Sequence, residues 1–554
     1  MCLLLCFLSL SIGSLFLPLR KTLTYDEHPY YESGEVALSM FSEEQGERGL
    51  RERNIMPANI LHPLFSQKIG QSIPNSIIPR SFKESLAGKV FLGKTATIFV
   101  SLILAIYVFF WSRSIYGEKA GFLALSLYVF DPNIIAHSRV VHQDLFGTFA
   151  VFVATYYFWK FLKFGGRINA LLSVISFGIA QITRYTALYL LPIFGILTIL
   201  FYAPKLLAIA KANQVKALWF GLRKFLIAAF IFLLTALVII NIGFAGEKTF
   251  TRLGNFQFES KTLQSFQASS SLVRSLPVPL PAPYIEGLDL VRYKQETGYG
   301  NGLPYLLGQL GWENGQAKGF LNYYLVVFFY KVPIATQIIL LIAIFSLIRR
   351  RSYANFLQNE AFLVVPVLFF LTSFSLANAQ LGIRYILMIF PFLFVFASQI
   401  LLNWERFKRW HRVLVPSLVA YLIVSNLSYF PHYISYFNEF LLDRKMGYQI
   451  LADSNLDWGQ NIKYMERYLA QNPDVMFALS PQNFATTEQI SINNVFLPEQ
   501  PRPGLVAVEA NALLGITASP ARYQWIRENL KPVDHVAYNY LIFELKRSHL
   551  SPQN

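Results

Sequence analysis

Two adjacent carboxylates near the start of the chain are the first residues whose chemistry suggests a function. Asp26 and Glu27 lie in Tyr25-Asp26-Glu27-His28-Pro29, directly after an apolar segment and at the start of a polar stretch that reaches residue 91. Carboxylates are costly in apolar surroundings, so these two are expected at the polar edge of a membrane segment, with a role there. A carboxylate can accept the proton of an attacking hydroxyl group. We therefore predict a membrane enzyme with Asp26 as its general base.

The composition indicates a protein that crosses a membrane several times. Of the 554 residues, 54% are hydrophobic, and the mean hydropathy is +0.40. Several apolar runs are long enough to span a bilayer. We predict an α-helical multi-pass membrane protein with about eleven transmembrane helices. The predicted spans are roughly 2–19, 92–111, 119–136, 145–162, 169–183, 185–202, 222–244, 322–347, 360–377, 383–402 and 411–430.

The distribution of charge predicts how these spans are oriented. The chain has 48 Lys and Arg against 32 Asp and Glu, a net charge of +16. In a soluble protein this excess would suggest nucleic acid, but here the basic residues fall mostly in alternate short connections between spans. We therefore predict no nucleic-acid partner and a plasma-membrane protein surrounded by lipid. The Asp26 loop and the C-terminal tail should lie on the extracytoplasmic side.

Loop lengths and secondary-structure patterns predict two domains. Residues 1–430 would form a transmembrane catalytic domain whose outer loops are 20–91 and 245–321, and the second loop would be a mobile cover over a site. Residues 431–554 would form a small extracytoplasmic α/β domain. In it we predict helices at 461–471 and 519–529 and strands at 504–509 and 536–545. Cys2 and Cys6 provide no disulfide framework or Cys-based metal site.

Four further charged residues lie where the chain is expected to be apolar or to emerge from the membrane. Asp144 opens a predicted helix, so it either caps that helix or belongs to a site. Lys331 lies within an apolar helix, where it either snorkels to the surface or meets an anion. Arg184 and Arg384, at the outer ends of spans, are either interface anchors or ligands of a lipid phosphate.

The predicted orientation restricts the donor that such an enzyme would use. Nucleotide sugars are cytosolic, and the sequence has no Gly-rich loop of the kind that cradles their phosphates. An activated sugar on the outer side would therefore arrive on a lipid. Its phosphate leaving group would need positive charge.

Several motifs of the sequence resemble those of a known family. The chain resembles the bacterial branch of glycosyltransferase family 39, which is related to the dolichyl-phosphate-mannose–protein mannosyltransferases and the lipid A aminoarabinose transferases. The resemblance implies a fold of the GT-C type and inverting transfer from a polyprenyl-phosphate sugar to a protein, lipid or glycan acceptor. It rests on Asp26-Glu27-His28, His62-Pro63, Asp131-Pro132-Asn133, His137-Ser138-Arg139, Asp144, Tyr323-Tyr324, Lys331-Val332-Pro333, Leu381 to Tyr385, Tyr433 to Asn438 and Ser454 to Gln460.

The same resemblance implies roles for individual residues. The family's acidic pair corresponds to Asp26 and Glu27, and its second outer-loop aspartate corresponds to Asp144, which together would be the catalytic residues. Arg184 stands where relatives often have Lys, which keeps the charge but changes the donor geometry. The donor phosphate would be bound by Arg184, Lys331 and Arg384. Other substrate contacts would come from His62, His137, Tyr323 and Tyr324.

Three questions stay open at this stage. A divalent metal is possible, because Asp26, Glu27 and Asp144 could converge with a histidine (His62, His137 or His142), but no metal or other cofactor is assigned. The segment 453–460 either binds carbohydrate through Asp457-Trp458 or caps and packs the first helix of the outer domain, and packing is favoured. The alternatives to an enzyme are a transporter or flippase of an anionic lipid, with repeated halves and broken helices, and an inactive scaffold.

Overall fold

The computed structural model is mostly helical and describes residues 23–40, 55–212, 215–298, 303–313, 316–350, 355–402, 409–478 and 494–549. Within these residues, six helices are long and apolar enough to cross a membrane, or seven if one bent pair is counted as a single span. A small five-stranded sheet follows near the C-terminus. The predicted class, a multi-pass helical protein with a C-terminal α/β region, is confirmed. The predicted span 2–19, with Cys2 and Cys6, lies outside the described residues.

Among its described residues, the first outer loop contains three α-helices. They are α1 (Glu27–Ser39), α2 (Leu61–Ser72) and α3 (Arg80–Glu84). Helix α1 approaches the start of α2 closely, because a Cβ on Gly34 would lie only 2.4 Å from the carbonyl oxygen of Asn59. The side chain of Asn59 donates to the hydroxyl of Ser33 over 2.6 Å. These contacts fix the helix that begins directly after Asp26.

The membrane part contains the longer helices. They are α4 (Leu86–Tyr116), α5 (Glu118–Val129), α6 (Pro132–His137), α7 (Gln143–Phe164), α8 (Arg167–Gln181), α9 (Leu190–Lys211) and α10 (Val215–Gly243). After the second outer segment come α14 (Tyr323–Lys331), α15 (Ile334–Arg350), α16 (Ala361–Ser375), α17 (Phe390–Ala397) and α18 (Arg409–Leu427). A 3₁₀ turn precedes α9 at Tyr185–Tyr189 and another precedes α17 at Ile383–Ile389.

Two of the predicted spans are interrupted, in both cases at a proline. The predicted span 119–136 consists of α5 and the short α6, because Asp131 accepts N–H bonds from Asn133 and Ile134 and starts a new helix at Pro132. The predicted span 322–347 bends by 113° between α14 and α15. Proline removes a helical donor and clashes with the preceding turn, which explains the break at Pro333. Helices α8 and α18 are apolar but short.

The described residues of the second outer segment form helices and short strands, and its role as a mobile cover stays a prediction. It contains α11 (Lys261–Ala268), α12 (Ser271–Ser275), α13 (Ala282–Thr297) and two small hairpins, formed by β1 (Tyr305–Leu306), β2 (Gln309–Leu310), β3 (Trp312–Glu313) and β4 (Gln316–Ala317). The buried carboxylate of Asp289 accepts N–H bonds from Glu259 at 2.7 Å and Ser260 at 3.0 Å. Helix α13 is thereby tied to the rest of this segment.

The C-terminal sheet has the strand order β6-β5-β7-β9-β8. Its strands are β5 (Met476–Ala478), β6 (Val495–Phe496), β7 (Gly504–Glu509), β8 (Asp534–Val536) and β9 (Tyr540–Leu545), accompanied by α19 (Ile462–Gln471), α20 (Ala510–Leu513) and α21 (Gln524–Asn529). Strands β6, β5 and β7 are parallel, and β7, β9 and β8 are antiparallel. The predicted strand 536–545 is divided by Ala537 and Tyr538, which have positive φ angles and form a turn.

The hydrophobic core continues from the membrane helices into one face of this sheet. Apolar side chains of α7 and α17 belong to the same buried cluster as Val506, Val508 and Leu541 of the sheet. A separate small cluster packs α19 on the sheet through Met465, Leu469 and their neighbours. The division into domains 1–430 and 431–554 stays a prediction.

Candidate functional site

Two aspartates, two arginines and a histidine converge where membrane helices meet the outer segments. We call Asp26, His142, Asp144, Arg184 and Arg384 the Asp–Arg cluster. Asp26 immediately precedes α1, while His142 and Asp144 are at the start of α7. Arg184 and Arg384 are at the starts of the two 3₁₀ turns that lead into α9 and α17. Helix ends therefore bring together residues that are far apart in sequence.

Asp26 is the partly exposed carboxylate of this cluster. Its Oδ2 accepts hydrogen bonds from Arg384 Nη1 at 2.9 Å and from the indole N–H of Trp458 at 3.1 Å. The side chain is 38% exposed, so a substrate can reach it. Burial would raise the pKa of Asp26, but the charge of Arg384, together with His142 and the two hydrogen bonds, outweighs this and lowers it. The carboxylate of Asp26 is therefore ionised at neutral pH.

Glu27, the second member of the acidic pair, has different surroundings. Its side chain is completely buried and accepts N–H bonds from Thr24 at 2.8 Å and from Val141 at 3.0 Å. Lys94 of α4 neutralises it at 2.9 Å. Glu27 therefore joins the Asp26 loop to the connection before α7. Its contacts are those of a residue that positions its neighbour.

Asp144 lies beside Asp26 and forms the second ion pair of the cluster. Its carboxylate is paired with Arg184 and is 2% exposed. Its other oxygen lies 2.8 Å from His142 Nδ1, whose other ring nitrogen lies 3.4 Å from Arg384 Nη1. The helix cap is supplied by His142, which accepts from the main-chain N–H of Asp144. The carboxylate of Asp144 is thus directed into the cluster.

Trp458 brings the C-terminal part of the chain into the site. Its ring faces the Arg384 guanidinium at 4.3 Å from the ring centroid, a cation–π contact. Its carbonyl accepts from the N–H of Tyr25 at 3.1 Å. The adjacent Gly459 has φ +81°, and a Cβ there would lie 2.8 Å from the Tyr25 ring. The segment 453–460 therefore packs directly on the residues that carry Asp26.

Lys331 lies at the helix break rather than in an open cavity. It is 1% exposed, and its Nζ donates to the main-chain oxygens of Ile434 at 2.8 Å and Asn455 at 2.6 Å. Its own carbonyl accepts from Asn133 at 2.8 Å. These bonds connect α14 to the chain that follows α18. The prediction that Lys331 binds phosphate stays untested, and its present contacts are structural.

The predicted substrate-binding residues divide into two groups. His62 is completely buried, with Nδ1 3.1 Å from the Gly93 oxygen and its ring stacked on Phe146, and burial lowers its pKa to about 4. His137 lies closer to the cluster, 6.1 Å from the Trp458 ring. Burial lowers the pKa of His137 to about 3, although Asp144 opposes this shift. Both are therefore neutral imidazoles at neutral pH.

Tyr323 and Tyr324 are buried side by side at the start of α14. The hydroxyl of Tyr323 accepts from the N–H of Gly382 and from the Asn455 amide, both at 3.1 Å, so it fixes the segment before Arg384. The hydroxyl of Tyr324 has no hydrogen-bond partner among the described residues. The hydroxyl of Tyr323 is thus already engaged, whereas that of Tyr324 is buried without a partner in the described part of the chain.

Sequence reasoning did not select three of the residues found at this site. His142 was considered only as a possible metal ligand, and its position two residues before Asp144 was the available signal. Trp458 was considered only as part of the motif Asp457-Trp458. This motif gives no indication that the side chain contacts Asp26. Lys94 lies within a predicted span, where the partner of a buried lysine cannot be read from sequence.

No group of three or more His, Cys, Asp or Glu side chains with a metal-binding arrangement occurs in the described parts of the chain. In the Asp–Arg cluster each aspartate is paired with an arginine. The possible divalent metal of the sequence analysis therefore has no defined ligand set here.

Part of the chain is similar to a known protein family. Residues 89–240 match the model of the family described as dolichyl-phosphate-mannose-protein mannosyltransferase. The matched segment includes Asp144 and Arg184 but neither Asp26 nor Arg384. The family resemblance drawn from the sequence is confirmed for this part of the chain. No curated protein gives a significant sequence match.

Solved structures resemble the chain over most of its length, at low identity. ArnT from Cupriavidus metallidurans bound to undecaprenyl phosphate is 12% identical, covering 99% of this chain and 98% of its own, with a TM-score of 0.46. The oligosaccharyltransferase of Archaeoglobus fulgidus in the apo form is 13% identical, covering 94% of this chain and 72% of its own, with a TM-score of 0.38.

The family match covers part of the chain, and the helices indicate its architecture. The matched family is one of glycosyltransferases, and the chain has at least six candidate membrane spans. The chain is thus a helical protein with several candidate membrane spans, and its residues 89–240 are similar to those of a mannosyltransferase family.

Proposed function

We propose that this protein transfers a sugar from a polyprenyl-phosphate donor to an acceptor hydroxyl, with inversion at the anomeric carbon and Asp26 as the general base. One observation carries the proposal: a partly exposed carboxylate is held against an arginine, beside a second aspartate–arginine pair, at the ends of membrane helices. A proton acceptor and positive charge at adjacent positions suit a hydroxyl nucleophile and a phosphate leaving group.

The proposed reaction is a single displacement. The acceptor oxygen forms a bond to the anomeric carbon while the bond from that carbon to the phosphate oxygen breaks. The acceptor proton passes to Asp26, and the bonding electron pair stays on the phosphate, whose negative charge increases. Arg384 and Arg184 are proposed to stabilise this charge. Arg384 has a buried Nε without a hydrogen-bond partner among the described residues, so it can take a further acceptor.

Donor binding and activation of the base are linked in this arrangement. Arg384 lowers the pKa of Asp26 while the two are paired, which makes Asp26 a weak base. A donor phosphate would compete for the Arg384 guanidinium and weaken that ion pair. The pKa of Asp26 would then rise toward the value of a better base. We propose that the site becomes basic only when a donor is present.

The other predicted residues receive proposed roles from their contacts. Glu27, with Lys94, positions the loop that carries Asp26, and Asp144 orients Arg184 and His142. Tyr324 and His137 are proposed substrate contacts, while His62 and Tyr323 support the walls of the site. The acceptor is a protein, lipid or glycan hydroxyl. The basic connections between the opposite helix ends favour placing this site on the extracytoplasmic side of the plasma membrane.

The broken helix α14–α15 is the feature that a lipid transporter would share. In transporters, half-helix ends at a break coordinate substrate near the midplane of the membrane. Here Lys331, at the break, is bonded to the carbonyl groups of Ile434 and Asn455. The break is therefore closed by the protein's own chain. This favours the enzyme over the transporter.

The proposal is tested with purified protein in lipid, supplied with polyprenyl-phosphate sugars or with the matching nucleotide sugars. A mixture of protein, lipid and glycan acceptors is offered with each donor. We expect consumption of a lipid-linked donor alone, with release of polyprenyl phosphate. Movement of labelled lipid between leaflets without donor consumption would show that the protein is a flippase and not a glycosyltransferase. Use of a nucleotide sugar would refute the lipid-linked donor.

A further inference from the structure

Two donors from distant parts of the chain converge on one oxygen of Asp26. Its Oδ2 accepts from Arg384 Nη1 at 2.9 Å and from the indole N–H of Trp458 at 3.1 Å, and His142 Nε2 lies 4.0 Å from the same atom. The other oxygen, Oδ1, makes no hydrogen bond or ion pair with the described residues. A carboxylate oxygen has two lone pairs, so Oδ2 is fully occupied while Oδ1 is left to accept a proton.

Trp458 holds the loop that carries Asp26 at two points. Its main-chain oxygen accepts from the N–H of Tyr25 at 3.1 Å, and its indole binds Asp26, the next residue. The Tyr25 ring also packs on Gly459, where a Cβ would lie only 2.8 Å from it. Trp458 is therefore attached to the loop itself, and its contact with Asp26 does not depend on Arg384 alone.

The indole is held in place by the C-terminal segment. Trp458 is 3% exposed, and its main-chain N–H donates to Gln460 Oε1 at 2.6 Å. The side chain of Asp457 accepts from the N–H of Gly459 at 3.0 Å and closes the turn. The Trp458 ring meets His142 edge to face, with the ring centroids 5.5 Å apart. A side chain fixed in this way loses little conformational entropy when it orients a partner.

Arg384 and Trp458 should respond differently to a donor phosphate. The charged guanidinium is attracted to the phosphate, and this weakens its bond to Asp26. The indole is neutral and has a single N–H, which Oδ2 of Asp26 already accepts. When Arg384 turns toward the donor, the indole bond remains to fix the plane of the carboxylate. Without that bond the carboxylate would rotate, because the terminal torsion of an aspartate has broad minima.

We infer that Trp458 is the positioning residue of the base: its indole keeps Oδ2 of Asp26 occupied, so that Oδ1 takes the acceptor proton. This inference rests on the proposed function. The acceptor hydroxyl gives its proton to Oδ1 while its oxygen bonds to the anomeric carbon. The electron pair of the broken carbon–oxygen bond stays on the phosphate. The C-terminal segment thereby acts on the chemical step through Asp26.

The experiment is a double-mutant cycle on single-turnover consumption of a polyprenyl-phosphate sugar, with the full chain in lipid nanodiscs. Trp458→Phe keeps an aromatic ring beside Arg384 and removes the N–H. It is introduced into wild type and into Asp26→Asn, and Trp525→Phe is the matched control at a half-buried position of helix α21.

Trp458→Phe should lower the rate about tenfold in the wild-type background, the size of one hydrogen bond to a charged group. In the Asp26→Asn background it should change the rate by less than about twofold, because a residue that acts through Asp26 has nothing left to position. Trp525→Phe should react like wild type. Binding of polyprenyl phosphate should stay within about threefold of wild type in both tryptophan variants.

The outcomes separate this inference from the proposed function. A wild type that consumes no lipid-linked sugar, or an Asp26→Asn protein as fast as wild type, would contradict the proposed function itself. If Asp26→Asn is slow but Trp458→Phe turns over like wild type, only the role of Trp458 is refuted. An equal loss in both backgrounds, or a loss of polyprenyl phosphate binding, would show that Trp458 only maintains the fold and would also refute its role.

Discussion

At the scale of single residues, neighbouring carboxylates in one motif have opposite environments. Asp26 is 38% exposed and held by donors that a substrate can displace, whereas Glu27 is completely buried and bound by the main chain and Lys94. The order Asp-Glu in the sequence indicates a site, but it does not show which carboxylate faces the substrate. The difference in burial makes this distinction. That burial depends on how the connection before α7 folds over the loop that carries Asp26 and Glu27.

Replacing Glu27 with Gln should damage stability more than chemistry. The change leaves the partly buried Lys94 without its counter-ion and gives the Val141 N–H a poorer acceptor. Breaking a buried pair in this way costs about 3–5 kcal/mol, so the thermal midpoint in detergent should fall clearly. Glu32→Gln, at an exposed position of the same helix, is the matched control and should unfold like wild type. A normal midpoint for Glu27→Gln would contradict the positioning role.

Asp453 provides a prediction about pH. It has φ +54°, and burial raises its pKa from 3.8 to about 6, although Arg384 and the Ser454 N–H oppose the shift. Because the folded state holds this proton more tightly than the unfolded state, stability falls as pH rises from about 4 to 6 and stays lower above. Asp453→Asn, which tolerates the same φ, should therefore be more stable than wild type at pH 8 by about 1–3 kcal/mol and equal to it at pH 4.

Thermal unfolding at the two pH values measures this difference. Asp534→Asn, at an exposed strand position, is the control and should show no pH-dependent gain. A gain for Asp453→Asn that is the same at pH 4 and pH 8 would show that the carboxyl charge is not the cause.

At the scale of elements, helix ends and breaks position the site. The starts of α7 and of two 3₁₀ turns carry His142, Arg184 and Arg384, and the sequence predicted the approximate ends of these spans. It did not predict that 3₁₀ geometry would follow both arginines, because a span recognised by hydropathy gives no information about its first turn. The sequence also did not predict the break at Pro333, because that residue lies within a continuous apolar run.

Lys331 tests whether that break is structural. Lys331→Met keeps an unbranched side chain but leaves the buried carbonyl groups of Ile434 and Asn455 without a donor. Each unsatisfied group costs about 1–3 kcal/mol, so the variant should unfold at a lower temperature. Its folded fraction should bind polyprenyl phosphate within about twofold of wild type, whereas Arg384→Gln should lose about tenfold.

Both binding and unfolding of the Lys331→Met protein are measured in the same preparation. A variant that unfolds like wild type and yet loses affinity for polyprenyl phosphate would restore Lys331 as a ligand of the donor, as the sequence predicted.

At the scale of the whole molecule, the C-terminal part completes the site. Trp458 binds Asp26 and Arg384, and the hydrophobic core runs from the membrane helices into the sheet. Sequence patterns predicted helix α19 and strand β7 almost to the residue, since each has a clear period. They did not predict contact between residues more than 400 positions apart, such as Trp458 and Asp26, because local periodicity carries no information about such pairs.

The central claim is that Asp26 takes the acceptor proton in a lipid-linked sugar transfer. The direct measurement is single-turnover consumption of the polyprenyl-phosphate sugar by wild type, Asp26→Asn and the control Glu32→Gln, alongside donor binding. Asp26→Asn should lose about 10²–10⁴-fold in rate, because it removes a general base and little volume. Its donor binding should be equal or tighter, since Arg384 is released from its ion pair. Turnover by Asp26→Asn within a few-fold of wild type would contradict the account.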